Sequence, residues 1–192
     1  MGGRGVSRRD FLKGVGIATT MTVSGAPPVP LRRLRVLGPG VVPVRLRVNG
    51  RDHEIHIEPR VTLLDALRDR IGLTGSKKIC DRGSCGGCVV LLDGRPVVSC
   101  MMLAVDAQGA EIRTVEGIAP GSALADAFVQ EDALQCGFCT AGMLVSAHAS
   151  LAPAGQDGSS FAAALAGNIC RCGTYPRVVA ACRRAAGQGE RR

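Results

Sequence analysis

Nine of the 192 residues are cysteine, and eight of them fall into two sets whose spacing suits metal ligation. Cys80, Cys85, Cys88 and Cys100 follow C-x4-C-x2-C-x11-C, and the first three positions match the plant-type pattern of a 2Fe-2S centre. Gly83, Gly86 and Gly87 lie between them, where a chain without side chains can turn tightly and aim backbone N–H groups at negatively charged sulfurs. Asp81, Arg82 and Ser84 read as loop surface. Cys136, Cys139, Cys170 and Cys172 follow C-x2-C-x30-C-x1-C, with Gly137, Gly142 and Gly173 close by and Gln135 and Asn168 as polar neighbours.

Two other uses of eight cysteines compete. Zinc sites favour paired spacings of two to four residues, which C-x4-C-x2-C fits poorly. A disulfide framework suits an exported protein, yet it leaves the loop glycines unexplained and nine is an odd number. The ninth, Cys182, shares a helical face with Val178 and Val179 and reads as a small buried apolar residue.

The elements that must position these ligands follow from periodicity. Val42, Val44, Leu46 and Val48 alternate, Asn49-Gly50 signals a hairpin, and Ile55 and Ile57 continue in a second alternating run. Thr62 with Asp65 predicts a capped helix over Leu63 to Ile71, ended by Gly72. After the cysteine loop, Cys88 to Leu92 and Pro96 to Cys100 flank Asp93-Gly94 as a second hairpin, and Ala110 to Val115 is a final strand. Beyond Gly117 the pattern turns helical: Ala123 to Glu131 behind Ser122, Cys139 to Leu151, Phe161 to Ala166 behind Ser159 or Ser160, and Arg177 to Ala186 behind Thr174 and Pro176. The predicted class is α+β, with a small sheet domain over 42–117 and an all-α four-helix domain over 118–192. With 3% aromatic residues and no Trp, the helical part has a thin core, and a metal centre supplies the missing staple.

Ser7-Arg8-Arg9-Asp10-Phe11-Leu12-Lys13, followed by an uncharged, mildly apolar stretch to Val23, has the layout of a twin-arginine export signal, assigned to residues 1–26. A linker rich in Pro and Arg occupies residues 27–41. This export route carries folded proteins and implies the periplasm. The net charge of +8 is largely this address: residues 1–35 hold seven Lys and Arg against one acid, leaving 17 bases against 15 acids in the rest. Two oxidised centres with their thiolates, at about −2 each, bring the globular part slightly below zero. That charge, with four Phe and one Tyr in the whole chain, argues against nucleic-acid binding.

Three segments carry a family resemblance: Lys77-Lys78-Ile79-Cys80-Asp81-Arg82-Gly83-Ser84-Cys85-Gly86-Gly87-Cys88, Ala133-Leu134-Gln135-Cys136-Gly137-Phe138-Cys139-Thr140-Ala141-Gly142-Met143 and Gly167-Asn168-Ile169-Cys170-Arg171-Cys172-Gly173-Thr174-Tyr175. Together they resemble the small iron–sulfur subunit of the molybdenum hydroxylases, a family that includes xanthine dehydrogenase and aldehyde oxidoreductase. Ala141 stands where that family usually has Pro, at a first-turn position that tolerates either. The resemblance implies a ferredoxin-like (β-grasp) domain and a four-helix domain, each with one 2Fe-2S cluster. Cys80, Cys85, Cys88 and Cys100 would hold the cluster nearer a flavin, and Cys136, Cys139, Cys170 and Cys172 the one nearer molybdenum. It places Gln135 and Cys172 against the molybdopterin. It also implies a molybdopterin-binding large subunit and an FAD-binding medium subunit as partners, with the twin-arginine translocon as export machinery.

No catalytic apparatus accompanies the cysteines. His53 and His56 lie in an alternating strand, His148 lies on an Ala-rich helix, and neither G-x-G-x-x-G nor a P-loop occurs. The expected role is electron transfer from molybdopterin through two clusters to FAD, in a complex that oxidises aldehydes to carboxylic acids or hydroxylates N-heterocycles, with an acceptor other than NAD. A free-standing 2Fe-2S carrier and an exported Cys-rich metal or interaction module without redox function are the alternatives.

Overall fold

Strand β1 (Val42–Val48) turns through Asn49 and Gly50, both with positive φ (51° and 76°), into the antiparallel β2 (Arg51–Ile57). Left-handed geometry at both central residues is what a two-residue hairpin requires, and Asn-Gly adopts it at least cost. The alternation resolves as expected: Val44, Leu46, Val48, Ile55 and Ile57 are buried, and the residues between them face solvent. These statements concern the computed structural model of the chain, which describes Arg9, residues 37–151 and residues 161–187. Apart from Arg9, the export signal assigned to 1–26 lies outside the described residues, as do linker residues 27–36 and the cap serines Ser159 and Ser160.

The sheet has the order β2-β1-β5-β3-β4. Strands β3 (Val89–Leu92) and β4 (Arg95–Val98) form the second hairpin through Asp93-Gly94. The central β5 (Glu111–Arg113) is parallel to β1 and antiparallel to β3. It is shorter than the Ala110 to Val115 expected. Thr114 leaves the ladder to exchange two hydrogen bonds of 2.9 Å with the Asn49 side chain, and Val115 opens a short helix, α2 (Val115–Ile118).

Helix α1 starts at Leu63–Asp65, capped by the Thr62 hydroxyl accepting from the Asp65 amide at 3.1 Å. It does not continue as the α-helix expected to Ile71. Its second part, Ala66–Ile71, widens to i→i+5 bonding, with the Gly72 amide donating to the Leu67 carbonyl before the chain reverses at Gly72. The wide turn ends with Arg68 donating to the carbonyls of Thr74 (2.9 Å) and Ser76 (2.7 Å), which ties the helix to the segment entering the cysteine loop. Leu63, Ala66 and Leu67 pack with Val44, Leu46, Ile57, Val90 and Ile112 on one side of the sheet.

The helical half comprises α3 (Ala123–Gln130), α4 (Thr140–Ser150), α5 (Phe161–Ala164) and α6 (Tyr175–Ala185). Ser122 caps α3 as expected, accepting from the Ala125 amide at 3.1 Å. Phe128, Met143, Val145, Phe161, Val178 and Cys182 make its core, and Val89 and Leu91 of β3 belong to the same cluster. The sheet therefore has helices against it on both sides. Exposed ion pairs, Arg177–Asp132 at 2.9 Å and Arg184–Glu131, link α6 to the end of α3; such pairs contribute at most about 1 kcal/mol each.

Candidate metal centres

The loop between α1 and β3 carries Cys80, Cys85 and Cys88, and the helical turn Ser99–Met101 after β4 brings Cys100 to them, so that the four lie in two neighbouring pairs. Cys80 hydrogen-bonds the Cys85 side chain, and Cys88 that of Cys100. Amides of Arg82, Ser84 and Cys85 point at the Cys80 sulfur, and that of Gly83 at Cys100. The Arg82 amide, with help from Cys85, draws the Cys80 thiol down to about 7, whereas burial pushes Cys100 up to about 11. Arg82 and Ser84 thus do more than cover the loop: their backbones line the site. Asp81 must take a left-handed conformation (φ 54°) for the loop to close, and its carboxylate pairs with Lys78 at 3.3 Å. On the inner side Leu64 of α1 packs against Cys88 and Cys100.

The second set forms at the N-terminal ends of α4 and α6. The sulfurs of Cys136 and Cys172 lie 3.5 Å apart, and Cys139 hydrogen-bonds Cys170. Burial raises Cys139 to about 12. Burial also acts to raise Cys170, but the Thr174 hydroxyl, 3.2 Å away, and the amides of Thr174 and Cys172 outweigh it and bring the thiol down to about 7. Cys136 and Cys172 are exposed, as is Gln135 beside them, and Phe138 (53% exposed), Ile169 (56%) and Tyr175 (38%) stand nearby as uncovered apolar side chains.

Each set suits a 2Fe-2S centre on its donor chemistry: four thiols, two on either side, with amides aimed at the sulfurs to stabilise their charge. Among the described residues no three His, Cys, Asp or Glu side chains converge as ligands of one ion, and two irons with two thiolates each do not need them to. Such a centre, when bound, stores and releases single electrons.

The two sites touch. The Gly86 carbonyl accepts from Asn168 Nδ2 at 3.0 Å, and the Cys85 carbonyl accepts from the Ile169 amide at 2.9 Å. Gly142 of α4 lies so close to Gly86 that a Cβ there would overlap its carbonyl, and Gly86 itself has φ 69°. The glycines thus serve the contact between sites as well as the loop turn, a role that spacing alone could not reveal.

The remaining candidates lie elsewhere. His56 is exposed on β2 and His53 half-buried there, while His148 sits on α4, where burial, aided by the Arg113 charge, lowers its pKa. Cys182 is fully buried in the helical core, where loss of water raises its thiol to about 11.

Residues 46–114 match the family described as "2Fe-2S iron-sulfur cluster binding domain", and residues 114–183 the family "2Fe-2S binding domain". The chain is 40% identical over 169 residues to the aldehyde oxidoreductase iron–sulfur-binding subunit of Escherichia coli O157:H7, covering 78% of this chain and 74% of that protein. It is 45% identical over 153 residues to the nicotine 6-hydroxylase small subunit of Paenarthrobacter nicotinovorans, covering 77% of this chain and 91% of the relative. Among solved structures, a chain of quinoline 2-oxidoreductase from Pseudomonas putida 86 superposes with a TM-score of 0.70 at 42% identity, over 78% of this chain and 98% of that one. Identity at this level across most of both partners reflects common descent as well as common fold, and the chain belongs to the iron–sulfur small subunits of the molybdenum hydroxylases.

Proposed function

We propose that this chain is the electron-transfer subunit of a molybdenum-flavin hydroxylase, with Cys80, Cys85, Cys88 and Cys100 holding one 2Fe-2S centre and Cys136, Cys139, Cys170 and Cys172 the other. The observation that carries this reading is the contact between the sites: backbone bearing Cys85 is hydrogen-bonded to backbone bearing Cys170 through Ile169. A shuttle needs one centre; two, joined by a hydrogen bond and the shared Gly86–Gly142 contact, suit relay between two partners. The exposed edge of Cys136 and Cys172, ringed by Phe138, Ile169 and Tyr175, is where a large molybdopterin-binding subunit docks, with Gln135 and Cys172 meeting the pterin. Exposed apolar groups at Ile79 (42%) and Met101 (64%), beside the first set, suit an FAD-binding subunit.

This chain's residues orient the thiolates, neutralise part of their charge with backbone amides, and keep water from Cys88 and Cys100. They do not select substrate, and the relatives' names span an aldehyde and two N-heterocycles. The Ser7 to Lys13 motif supports twin-arginine export of the assembled complex to the periplasm.

Co-purification under anaerobic conditions tests the assembly. A tagged chain that brings down a molybdopterin-containing subunit and an FAD-containing subunit, and gives two distinct 2Fe-2S EPR signals after reduction, meets the expectation. A monomer carrying zinc, or one whose cysteines form disulfides, overturns it.

A further inference from the structure

We propose that the Thr174 hydroxyl donates a hydrogen bond to the Cys170 sulfur and thereby raises the reduction potential of the second centre, which makes Thr174 a positioning residue acting through that ligand. The inference rests on the reading of Cys170 as an iron ligand. Thr174 precedes α6 at the position where a threonine ordinarily caps the helix, as Thr62 and Ser122 do elsewhere in the chain by accepting from the amide three residues on. Thr174 makes no such cap. Its side chain is turned inward, 2% exposed, with Oγ1 3.2 Å from Cys170 Sγ.

A coordinated thiolate carries no proton, so in this pair only the hydroxyl can donate. The Cys170 amide is not available to its own sulfur, because it is donated to the Tyr175 hydroxyl oxygen at 2.7 Å. The side chain thus adds a donor to the backbone amides of Thr174 and Cys172, which also point at this sulfur. At the first site Ser99 spends its hydroxyl on the Cys88 carbonyl, at 2.6 Å, rather than on sulfur. A donor at a ligand sulfur favours the reduced, more negative state of the centre, so Thr174 biases electrons toward the second centre.

Redox titration of the full chain with dithionite, followed by EPR, tests this with Thr174→Val, Thr174→Ala and Thr174→Ser beside the unaltered protein. Removing the hydroxyl is expected to lower the reduced-to-oxidised ratio of the second centre at fixed potential about tenfold, equivalent to about 59 mV for one electron. Serine is expected to restore it, and the first centre is expected not to move in any variant. An unchanged second midpoint in Val and Ala, with both signals present, overturns the proposal and leaves the ligand assignment standing. Loss of the second signal in both, with Ser intact, also overturns it, in favour of a purely structural role. A second signal missing from the unaltered, iron-loaded protein instead overturns the assignment of Cys170.

Discussion

The Ile169 amide donates to the Cys85 carbonyl across 2.9 Å, so one hydrogen bond separates chain segments that carry cysteines of different sets. From Cys85 through its backbone, across that bond and on to Cys170, the route is otherwise covalent. Ile169→Pro deletes the donor. Intercluster electron transfer, followed by pulse radiolysis, is expected to slow while iron content holds; an unchanged rate would show that electrons take another route.

Asn168→Ala strips the second bond across the same junction and leaves the Gly86 carbonyl without its Nδ2 donor. The carbonyl keeps the Val89 amide at 3.3 Å, so the substitution removes one hydrogen bond, worth about 0.5–1.5 kcal/mol, without orphaning the acceptor. Denaturant unfolding of the iron-loaded chain should register a loss of that size.

Gly142→Ala pushes a methyl group into the Gly86 carbonyl, a backbone atom that cannot swing aside as a side chain would. Overpacking of this kind costs about 1–3 kcal/mol. Because Gly86 lies within the first cysteine loop and Gly142 in the first turns of α4, both EPR line shapes should broaden. A variant with native stability and native spectra would mean that the contact is looser than described.

Serine replacements separate the two sets. Cys85→Ser and Cys139→Ser should each reduce iron from about four to about two atoms per chain and erase a different EPR signal. Cys182→Ala should retain both signals, since the side chain is fully buried in the helical core. Loss of a signal in the Cys182 variant would contradict the division of the cysteines.

Cys182 also makes stability depend on alkaline pH. Its folded thiol is pushed up to about 11 from an ordinary value of 9.0. Below about pH 9 the thiol is protonated in both states and its contribution is fully present. Above that the unfolded chain releases the proton first, so stability falls through the window up to about 11, by no more than about 1.4 kcal/mol per pH unit. Denaturation at pH 8 and pH 10.5 should show a drop in the unaltered protein that is smaller in Cys182→Ala; equal drops would mean that this thiol is not protected from ionisation.

Local features were legible in the sequence because their causes are local. The Val44, Leu46, Val48 alternation, the Asn49-Gly50 turn and the caps at Thr62 and Ser122 depend on neighbours within a few residues, and each appears as expected. Within each cysteine set the side chains lie in pairs, Cys80 with Cys85, Cys88 with Cys100, Cys136 with Cys172 and Cys139 with Cys170. What spacing could not supply depends on distant partners. Strand β5 ends early because Thr114 meets Asn49, 65 residues away. Thr174 matches a cap in the sequence, yet Cys170 competes for its hydroxyl and wins. Gly86 suggested a turn, and its second constraint, the approach of Gly142, exists only once α4 packs on β3.

Val89 and Leu91 lie in one cluster with Met143, Leu144 and Val178, so the sheet and the helices solidify around common side chains. Modules joined by a thin, polar seam swing relative to one another, whereas an apolar seam of this sort resists hinge motion. The separation of the two sites is thereby fixed at folding. Centres held by these cysteines would exchange electrons across a constant gap, and the subunit would not have to move to conduct.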